Sequence, residues 1–241
     1  MAYSIETFPV GLFQCNCALI WDDQSKKAIV LDPGGDFEII QERIEFHKLQ
    51  VEILWHTHAH LDHVGATLQL SEWLTQHNLS KFSVVGPEVF LHEEDRWLYE
   101  NIEIQSKALG LPSFEVPANF NRIKNHQTYD NFPRATALHT PGHTPGSCCL
   151  RVDGDFDFKI QKSLNKSAFD DCGGALFTGD TLFRRSIGRT DLWGGDFEII
   201  QKSIQKKIYT LPPRTLVIPG HGPVTTLEEE IDENPFVQGE I

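Results

Sequence analysis

Residues 56–65 read His-Thr-His-Ala-His-Leu-Asp-His-Val-Gly and place four side chains of metal-ligand type within six positions. Imidazoles and carboxylates are the groups that borderline divalent cations take as ligands. A helix would distribute these side chains around its circumference, and a strand would alternate them between two faces. A loop can direct all of them inward. We therefore predict a metal-binding loop whose ligands are His58, His60, Asp62 and His63.

Three later segments supply further ligand types: His143 in His-Thr-Pro-Gly-His-Thr-Pro-Gly (139–146), Asp180 in Phe-Thr-Gly-Asp-Thr (177–181) and His221 in Pro-Gly-His-Gly-Pro (219–223). Each follows an apolar or β-branched run and lies among glycine and proline, which is typical of a strand that ends in a sharp turn. Functional side chains are commonly held on such loops by a rigid scaffold. Any one of the three could be an ordinary turn residue, but the complete set predicts a metal centre.

The ligand types suggest two metal positions that share one carboxylate. In this interpretation His58, His60 and His143 hold one ion, Asp180 bridges, and the other ion is held by Asp62, His63 and His221. Open coordination positions are typical of catalytic rather than structural sites. Two ions would share a water and lower its pKa towards neutrality, which makes a bridging hydroxide the predicted nucleophile. We predict metal-assisted hydrolysis of an activated acyl compound, with Asp62 and Asp180 as the catalytic carboxylates.

Other catalytic patterns are missing from the sequence. It contains no Gly-x-Ser-x-Gly elbow, no P-loop and no dinucleotide-binding Gly-x-Gly-x-x-Gly. His56 and His139 lie near ligands in the sequence, so each is either a partner that orients a ligand or an ordinary polar residue. The remaining histidines stand in polar, surface-like contexts and are predicted to have no role: His47, His77, His92 and His126.

Length, charge and cysteine content limit the possible classes of protein. The 241 residues, 40% hydrophobic and 23% charged, predict one globular domain spanning residues 1–241. No apolar run is long enough to span a bilayer and no secretory signal is visible, so we expect a cytoplasmic protein without a membrane partner. Five cysteines without zinc-finger spacing predict free thiols in a reducing compartment, with Cys15 and Cys17 on one face of a strand.

The net charge of −13 argues against RNA or DNA as a partner. One basic cluster, Arg184, Arg185 and Arg189, follows soon after Asp180. It is either a solvated loop or a contact for an anionic substrate, and Arg184 and Arg189 are the candidate substrate-binding residues. The charge and length are compatible with a monomer or a small homo-oligomer.

The periodicity of apolar residues predicts strands and helices in alternation. Strands are expected at 16–22, 27–31, 51–55, 81–85, 135–139, 147–152, 174–178 and 216–218; helices are expected at 36–47, 64–77 and 196–209, with a partly helical stretch at 87–109. Asp36 is the predicted N-cap of the first helix. The polar stretch 153–173 is read as an extended hairpin or a loop.

An octapeptide, Gly-Gly-Asp-Phe-Glu-Ile-Ile-Gln, occurs at both 34–41 and 194–201. Two distant copies exclude a short-period solenoid and favour two similar halves, each a mostly β unit followed by a helix. The alternative is chance reuse of a good capping sequence. We predict an α+β fold, a four-layer αββα sandwich of two packed sheets with helices outside.

These motifs together resemble the metallo-β-lactamase superfamily. Further segments resemble its short bacterial glyoxalase II group: Leu-Asp-Pro-Gly-Gly (31–35), Gly-Asp-Thr-Leu-Phe (179–183), Gly-Arg-Thr-Asp (188–191) and Asn-Pro-Phe (234–236). The resemblance extends over nearly the whole chain. It implies the αββα fold, hydrolysis of S-lactoylglutathione, and two divalent ions, zinc first, with iron or manganese as alternatives. It also implies the same seven ligands as the residue types do.

The sequence departs from that group where substrate is bound. The C-terminal helical segment that grips glutathione in longer glyoxalase II enzymes is missing after His221. Arg189 stands for the family's basic residue, but Asp191 and Gly222-Pro223 replace two expected tyrosines. The resemblance therefore supports the metal chemistry more strongly than it supports glutathione as the carrier.

Four other functions compete with that of a thioester hydrolase. A persulfide dioxygenase on the same fold would hold one iron through His58, His143 and Asp180, and Gly-Arg-Thr-Asp (188–191) occurs in that group too. The segment 219–223 is more similar to the hydrolase form. A nucleic-acid phosphodiesterase is disfavoured by the charge, a β-lactamase by the carboxylate at position 180, and an inactive binding module by the filled ligand positions.

Overall fold

The computed structural model describes residues 3–79, 86–129, 134–154, 156–159 and 172–239. Within these ranges a seven-stranded and a six-stranded sheet carry almost all of the strand structure, and a two-stranded ribbon lies beside them. The strand predicted at 81–85 lies outside the described residues. No helix in the described ranges is long and apolar enough to cross a membrane.

The first sheet has the order β10-β1-β2-β3-β4-β5-β6. Strands β1, β2 and β3 are antiparallel neighbours, whereas β3 to β6 run parallel and β10 pairs parallel to β1. The bounds are β1 Tyr3–Val10, β2 Cys15–Asp22, β3 Lys27–Leu31, β4 Gln50–Trp55, β5 Glu88–Leu91, β6 Asn121–Arg122 and β10 Phe156–Lys159. Four of these strands are not among the predicted ones: β1, β6, β5 at the start of the partly helical stretch 87–109, and β10 in the polar stretch 153–173.

The second sheet has the order β15-β14-β11-β9-β8-β7. Its pairs are antiparallel except for the central β11 and β14, which run parallel. The bounds are β7 Thr128–Tyr129, β8 Ala135–His139, β9 Cys148–Asp153, β11 Gly174–Gly179, β14 Leu216–Pro219 and β15 Thr225–Thr226; the ribbon is β12 Leu182–Phe183 with β13 Ser186–Ile187.

Helices cover the outer faces of both sheets. They are α1 Phe37–His47, α2 Leu61–Val64, α3 Thr67–Leu79, α4 Arg96–Glu100, α5 Ile102–Ala108, α6 Phe197–Ser203 and α7 Leu227–Glu233. A 3₁₀ turn, Glu93–Asp95, precedes α4, and a π-helical segment, Ile204–Ile208, continues α6. The helix predicted at 64–77 corresponds to α3, which begins three residues later, and the short helix α2 precedes it.

Three apolar layers hold this arrangement together. Inward-facing residues of both sheets, such as Ile29 and Phe177, form one central cluster. Ile40 and Ile44 of α1 pack on the outer face of the first sheet, and Ile200 and Ile204 pack on the outer face of the second. The predicted four-layer αββα sandwich of two similar halves is therefore confirmed. Cys15 and Cys17 are buried on one face of β2, as expected, and are free thiols.

The two copies of the repeated octapeptide begin their helices differently. Asp196 has extended backbone and accepts a hydrogen bond from the Ile199 N–H at 2.9 Å, which is a regular N-cap. Asp36 has a φ of 45° and makes no cap bond; its carboxylate accepts from the Gly11 N–H at 2.8 Å instead. Asp36 is therefore the N-cap residue of α1, as predicted, but its side chain makes no capping hydrogen bond.

Candidate metal centre

The seven predicted ligands follow the carboxyl ends of four strands; five lie on loops, and Asp62 and His63 lie in the short helix α2. His58, His60, Asp62 and His63 follow β4, His143 follows β8, Asp180 follows β11 and His221 follows β14. The first two of these strands belong to different sheets, so the loops meet at one edge of the sandwich. The structure thus brings side chains that are up to 163 positions apart, from His58 to His221, into one site.

The first group of side chains consists of three buried histidines. His60 Nδ1 lies 3.1 Å from His58 Nε2 and 2.9 Å from His143 Nε2. One oxygen of Asp180, Oδ2, is 3.6 Å from His143 Nε2. Ligand atoms around a tetrahedral zinc ion with bonds of about 2.0–2.1 Å are roughly 3.3 Å apart, so these separations suit a common metal.

The second group faces the other oxygen of Asp180. His63 Nε2 is 3.4 Å and His221 Nε2 is 3.8 Å from Asp180 Oδ1. Asp62 Oδ2 lies 3.2 Å from His221 Nε2 and 3.9 Å from His63 Nε2. The two oxygens of a single carboxylate therefore point to two separate sets of ligand-type atoms.

The chemistry of the donor set fits divalent cations. Asp180 Oδ1 is buried, yet it accepts no hydrogen bond from any residue in the described ranges. Burial and neighbouring histidines lower the pKa of His58 and bring that of His60 to about 3, which keeps both imidazoles neutral and able to bind metal. Burial alone would raise the pKa of Asp180, but His63, His143 and His221 outweigh it and lower that pKa, so the Asp180 side chain is an ionised carboxylate.

A buried carboxylate behind this site was not singled out from the sequence. Asp32, at the end of β3, accepts hydrogen bonds from the Thr57 N–H at 2.8 Å and the Thr57 hydroxyl at 2.7 Å. It also lies 3.0 Å from His63 Nδ1. When Nδ1 of His63 carries the proton and donates to Asp32, the lone pair of the imidazole is on Nε2. That nitrogen is the atom that faces Asp62 and Asp180. Asp32 therefore fixes the orientation of His63.

A second buried acid, Asp95, joins the two loops that carry histidines. It accepts from the Ala59 N–H at 3.0 Å, the Thr144 hydroxyl at 2.8 Å and the Gly146 N–H at 2.7 Å. Burial raises the pKa of Asp95 to about 6, and these three hydrogen bonds hold it from rising further. No local sequence pattern signals this role, because the residues that Asp95 contacts lie 36 to 51 positions away.

The two candidate substrate-binding arginines, Arg184 and Arg189, lie at the surface. The guanidinium of Arg189 makes a bidentate pair with Asp191 at 2.7 and 2.8 Å, and both side chains are exposed. The Arg189 carbonyl lies 2.7 Å from His143 Nδ1, so its backbone orients that histidine. Arg184 is exposed. Gly188 allows this segment to pack directly against the backbone of Asp180, because a Cβ at position 188 would lie 1.7 Å from the Asp180 carbonyl oxygen.

The other histidines have structural surroundings of their own. His56 is buried with Nε2 3.3 Å from the Thr67 hydroxyl, and His139 lies 2.9 Å from the Pro145 carbonyl oxygen. Within the described contacts neither imidazole bonds to a ligand side chain. Two of the histidines predicted to have no role make defined contacts: His92 stacks on His139 at 4.0 Å, and His47 pairs with Glu6 at 2.7 Å.

Comparison with known proteins gives consistent matches. A model of the metallo-beta-lactamase superfamily matches residues 10–156 and 167–221. Hydroxyacylglutathione hydrolase GloC of Haemophilus influenzae is 37% identical over 97% of this chain and 98% of that protein. Probable metallo-hydrolase YqgX of Bacillus subtilis is 35% identical over 96% of each.

Solved structures of similar sequence have the same fold. TTHA1623 in a di-iron-bound form superimposes with a TM-score of 0.75 at 31% identity, covering 95% of this chain and 98% of that one. The BLEG-1 B3 metallo-beta-lactamase also gives 0.75, at 30% identity, covering 98% of this chain and 100% of its own. ETHE1 from Myxococcus xanthus, at 23% identity and a TM-score of 0.61, shares the fold over 92% of this chain and 78% of its own.

Proposed function

The chain belongs to the metallo-β-lactamase superfamily of metallo-hydrolases, and we propose that it hydrolyses a thioester such as S-lactoylglutathione with a binuclear metal centre. The observation that carries the proposal is Asp180, whose Oδ1 and Oδ2 face separate sets of ligand atoms. A carboxylate placed in this way suits two cations better than one. The similarity to GloC over nearly the full length supports the thioester as substrate.

In this proposal the ligands divide as the sequence predicts. His58, His60 and His143 hold one cation, Asp62, His63 and His221 hold the other, and Asp180 bridges them. When bound, two divalent cations lower the pKa of a water molecule towards neutrality and polarise the substrate carbonyl. Zinc suits these nitrogen and oxygen donors, and iron or manganese suit them as well.

The protein contributes orientation and charge to this chemistry. Asp32 and the Arg189 carbonyl hold His63 and His143 through their Nδ1 atoms, which directs both Nε2 atoms to the centre. Asp62 lies beside His221 at 3.2 Å and, like Asp180, has its pKa lowered by neighbouring histidines against the effect of burial. Both carboxylates therefore stay ionised near neutral pH, where they hold cations and can accept a proton from attacking water.

Substrate recognition is assigned to the arginines that follow Asp180. We propose that Arg189, and Arg184 five positions before it, attract the carboxylates of an anionic thioester. Because Asp191 already pairs with Arg189, part of this attraction is cancelled before any substrate binds. This arrangement predicts a modest rather than a dominant contribution of Arg189 to substrate affinity.

The proposal is tested by elemental analysis of the purified protein together with a thioester assay. We expect two metal equivalents per chain and hydrolysis of S-lactoylglutathione that stops on chelation and returns when metal is restored. Glutathione persulfide with an oxygen electrode and a chromogenic β-lactam serve as comparison substrates. One iron per chain with oxygen uptake on the persulfide would replace the hydrolase by the dioxygenase, and thioester turnover unaffected by chelation would end the metal proposal.

A further inference from the structure

Trp193 is a partly buried aromatic residue that the metal chemistry does not explain. The segment that carries it is fastened to the loop of His143 on both sides. Before Trp193, the Arg189 carbonyl lies 2.7 Å from His143 Nδ1, and after it the Asp196 N–H donates to the Gly142 carbonyl at 2.8 Å. Trp193 is therefore held beside the loop that supplies one of the predicted ligands.

The glycine that follows Trp193 allows a close approach to the same loop. Gly194 has a φ of 78°, and a Cβ at this position would lie 2.6 Å from the ring of Pro145. Glycine tolerates both the positive φ and the short distance, because it has no Cβ. The backbone on the C-terminal side of Trp193 thus packs directly on the His143 loop and fixes the point from which the indole projects.

The indole of Trp193 reaches the other loop of predicted ligands. It packs against a buried apolar cluster that includes Ala59 and Leu61, the two residues that flank His60 in the sequence. His60 Nδ1 lies 2.9 Å from His143 Nε2. A side chain that joins these two loops therefore lies along the side of the candidate metal centre that the two histidines form, and it adds an aromatic surface there.

From this placement we propose that Trp193 determines specificity by contacting the acyl group of the substrate, and that the preferred acyl group carries an aromatic substituent. The inference rests on the proposed thioester hydrolysis, in which the carbonyl carbon reacts at the metal centre. The substituent on that carbon lies next to the centre, whereas the carboxylates assigned to Arg189 lie several bonds away on the thiol carrier. A partly exposed indole is covered by an aromatic substituent, but a small hydroxylated group such as lactoyl leaves most of it in contact with water.

The kinetic test compares two glutathione thioesters that differ by one phenyl group, S-lactoylglutathione and its phenyllactoyl counterpart, on the metal-loaded protein. We expect the wild type to favour the phenyllactoyl thioester about tenfold in kcat/KM, since an aromatic pair adds to the effect of the apolar area it buries. Trp193→Ala should abolish this preference with unchanged metal content, and Trp193→Phe should keep most of it. A purely structural role of Trp193 would lower both reactions alike and leave their ratio unchanged.

A binding measurement makes the test independent of turnover. Lactate and phenyllactate are the acids that the two thioesters release, and calorimetric titration of the metal-loaded protein with each acid gives a ratio of affinities that involves no thiol carrier. We expect phenyllactate to bind about tenfold more tightly than lactate in the wild type and within about twofold of lactate in Trp193→Ala. Phe46→Ala is the control and should keep the wild-type ratio, because it truncates an aromatic side chain that is 78% exposed on α1.

The outcomes separate this inference from the proposed function. Trp193→Leu, which keeps an apolar side chain without the ring, replaces Trp193→Ala if the latter does not fold. No turnover of either thioester, together with a phenyllactate preference that Trp193→Ala removes, would end the proposed function and keep Trp193 as the contact for the aromatic group. Turnover with the same ratio in wild type and Trp193→Ala, equal affinities of the wild type for the two acids, or the same loss in Phe46→Ala would overturn the role given to Trp193.

Discussion

Asp32 shows how one buried side chain can orient predicted metal ligands without being a ligand itself. It lies at a φ of 50°, fully buried, and accepts from both the backbone and the hydroxyl of Thr57. The same Thr57 hydroxyl lies 3.0 Å from His58 Nδ1. Through Thr57 and His63, one carboxylate thus reaches a histidine of each ligand group.

We expect Asp32→Asn to lower metal affinity or activity about 10- to 100-fold, because an amide in place of the carboxylate weakens the hold on His63 Nδ1. The measurement is metal content after dialysis, together with kcat/KM. Asp36→Asn is the matched control, since Asp36 is an acid four positions away that bonds to Gly11. Equal metal retention in Asp32→Asn and wild type would contradict the role given to Asp32.

Asp180→Asn tests the bridge itself. The substitution keeps the shape of the side chain but turns one oxygen into an NH₂ group, which cannot bind a cation. We expect bound metal to fall to one equivalent or fewer and activity to fall more than about 100-fold, beyond the effect of losing an orienting partner. Excess zinc should restore chelated wild type but not the variant; restoration of both would refute the bridge.

Arg189 and Asp191 allow the substrate assignment to be tested in both directions. Arg189→Ala should raise KM for an anionic thioester about two- to fivefold, the range for an exposed charge interaction, with unchanged metal content. Asp191→Asn should lower KM, because it releases the guanidinium from its bidentate pair. An unchanged KM in both variants would remove Arg189 from the substrate site.

At the level of elements, the two copies of the repeated octapeptide have the same sequence but begin their helices with different backbone conformations. Asp196 caps α6 through its side chain, whereas the identical Asp36 adopts the left-handed region and bonds to the turn at Gly11. The difference comes from what surrounds each copy. Gly35 packs against Gly11, where a Cβ would lie 2.8 Å from the Gly11 Cα, whereas Gly195 packs against Thr190.

The same substitution should therefore act differently in the two copies. Asp196→Ser keeps a capping oxygen and should change the free energy of unfolding by only a few tenths of a kcal/mol. Asp36→Ser should cost about 1 kcal/mol, since serine loses the bond to Gly11 and tolerates positive φ less well than aspartate. Denaturant unfolding of both variants measures the difference, and equal effects would contradict the structural distinction.

Element prediction succeeded where the hydrophobic pattern is strong. Strands such as Lys27–Leu31 and Ala135–His139 were located to the residue, because they are buried runs bounded by turns. Strand β10 was missed, since Asp157 and Lys159 make it polar and its pairing with β1 at the sheet edge is about 150 positions away. The local pattern of apolar and polar residues carries no information on a partner strand so far away in the sequence.

For the molecule as a whole, the sequence predicted the sandwich and the side chains that meet at its edge, but not the residues that hold those side chains in place. His58 to His63 form one contiguous motif, and the other ligands stand in recognisable turns. Asp32 and Asp95, in contrast, act through residues 25 to 51 positions away. Their roles follow from the packing of the two sheets, which brings the loop after β4 against the loop after β8.

The link made by Asp95 should appear as a pH-dependent part of global stability. Its carboxyl holds its proton more tightly in the folded chain, with a pKa of about 6, than the ordinary value of 3.8. Between about pH 4 and pH 6 the folded state therefore binds more protons than the unfolded state, and this contribution to the free energy of unfolding falls as the pH rises.

Asp95→Asn removes the titration. Relative to this variant, metal-free wild type should lose about 2 kcal/mol of stability from pH 4 to pH 6. At every pH the variant also lacks one acceptor oxygen for Ala59, Thr144 or Gly146, which shifts the difference by about 1–3 kcal/mol in favour of wild type without changing its slope. Urea unfolding of both proteins over this pH range gives the slope directly, and parallel curves would show that Asp95 does not titrate there.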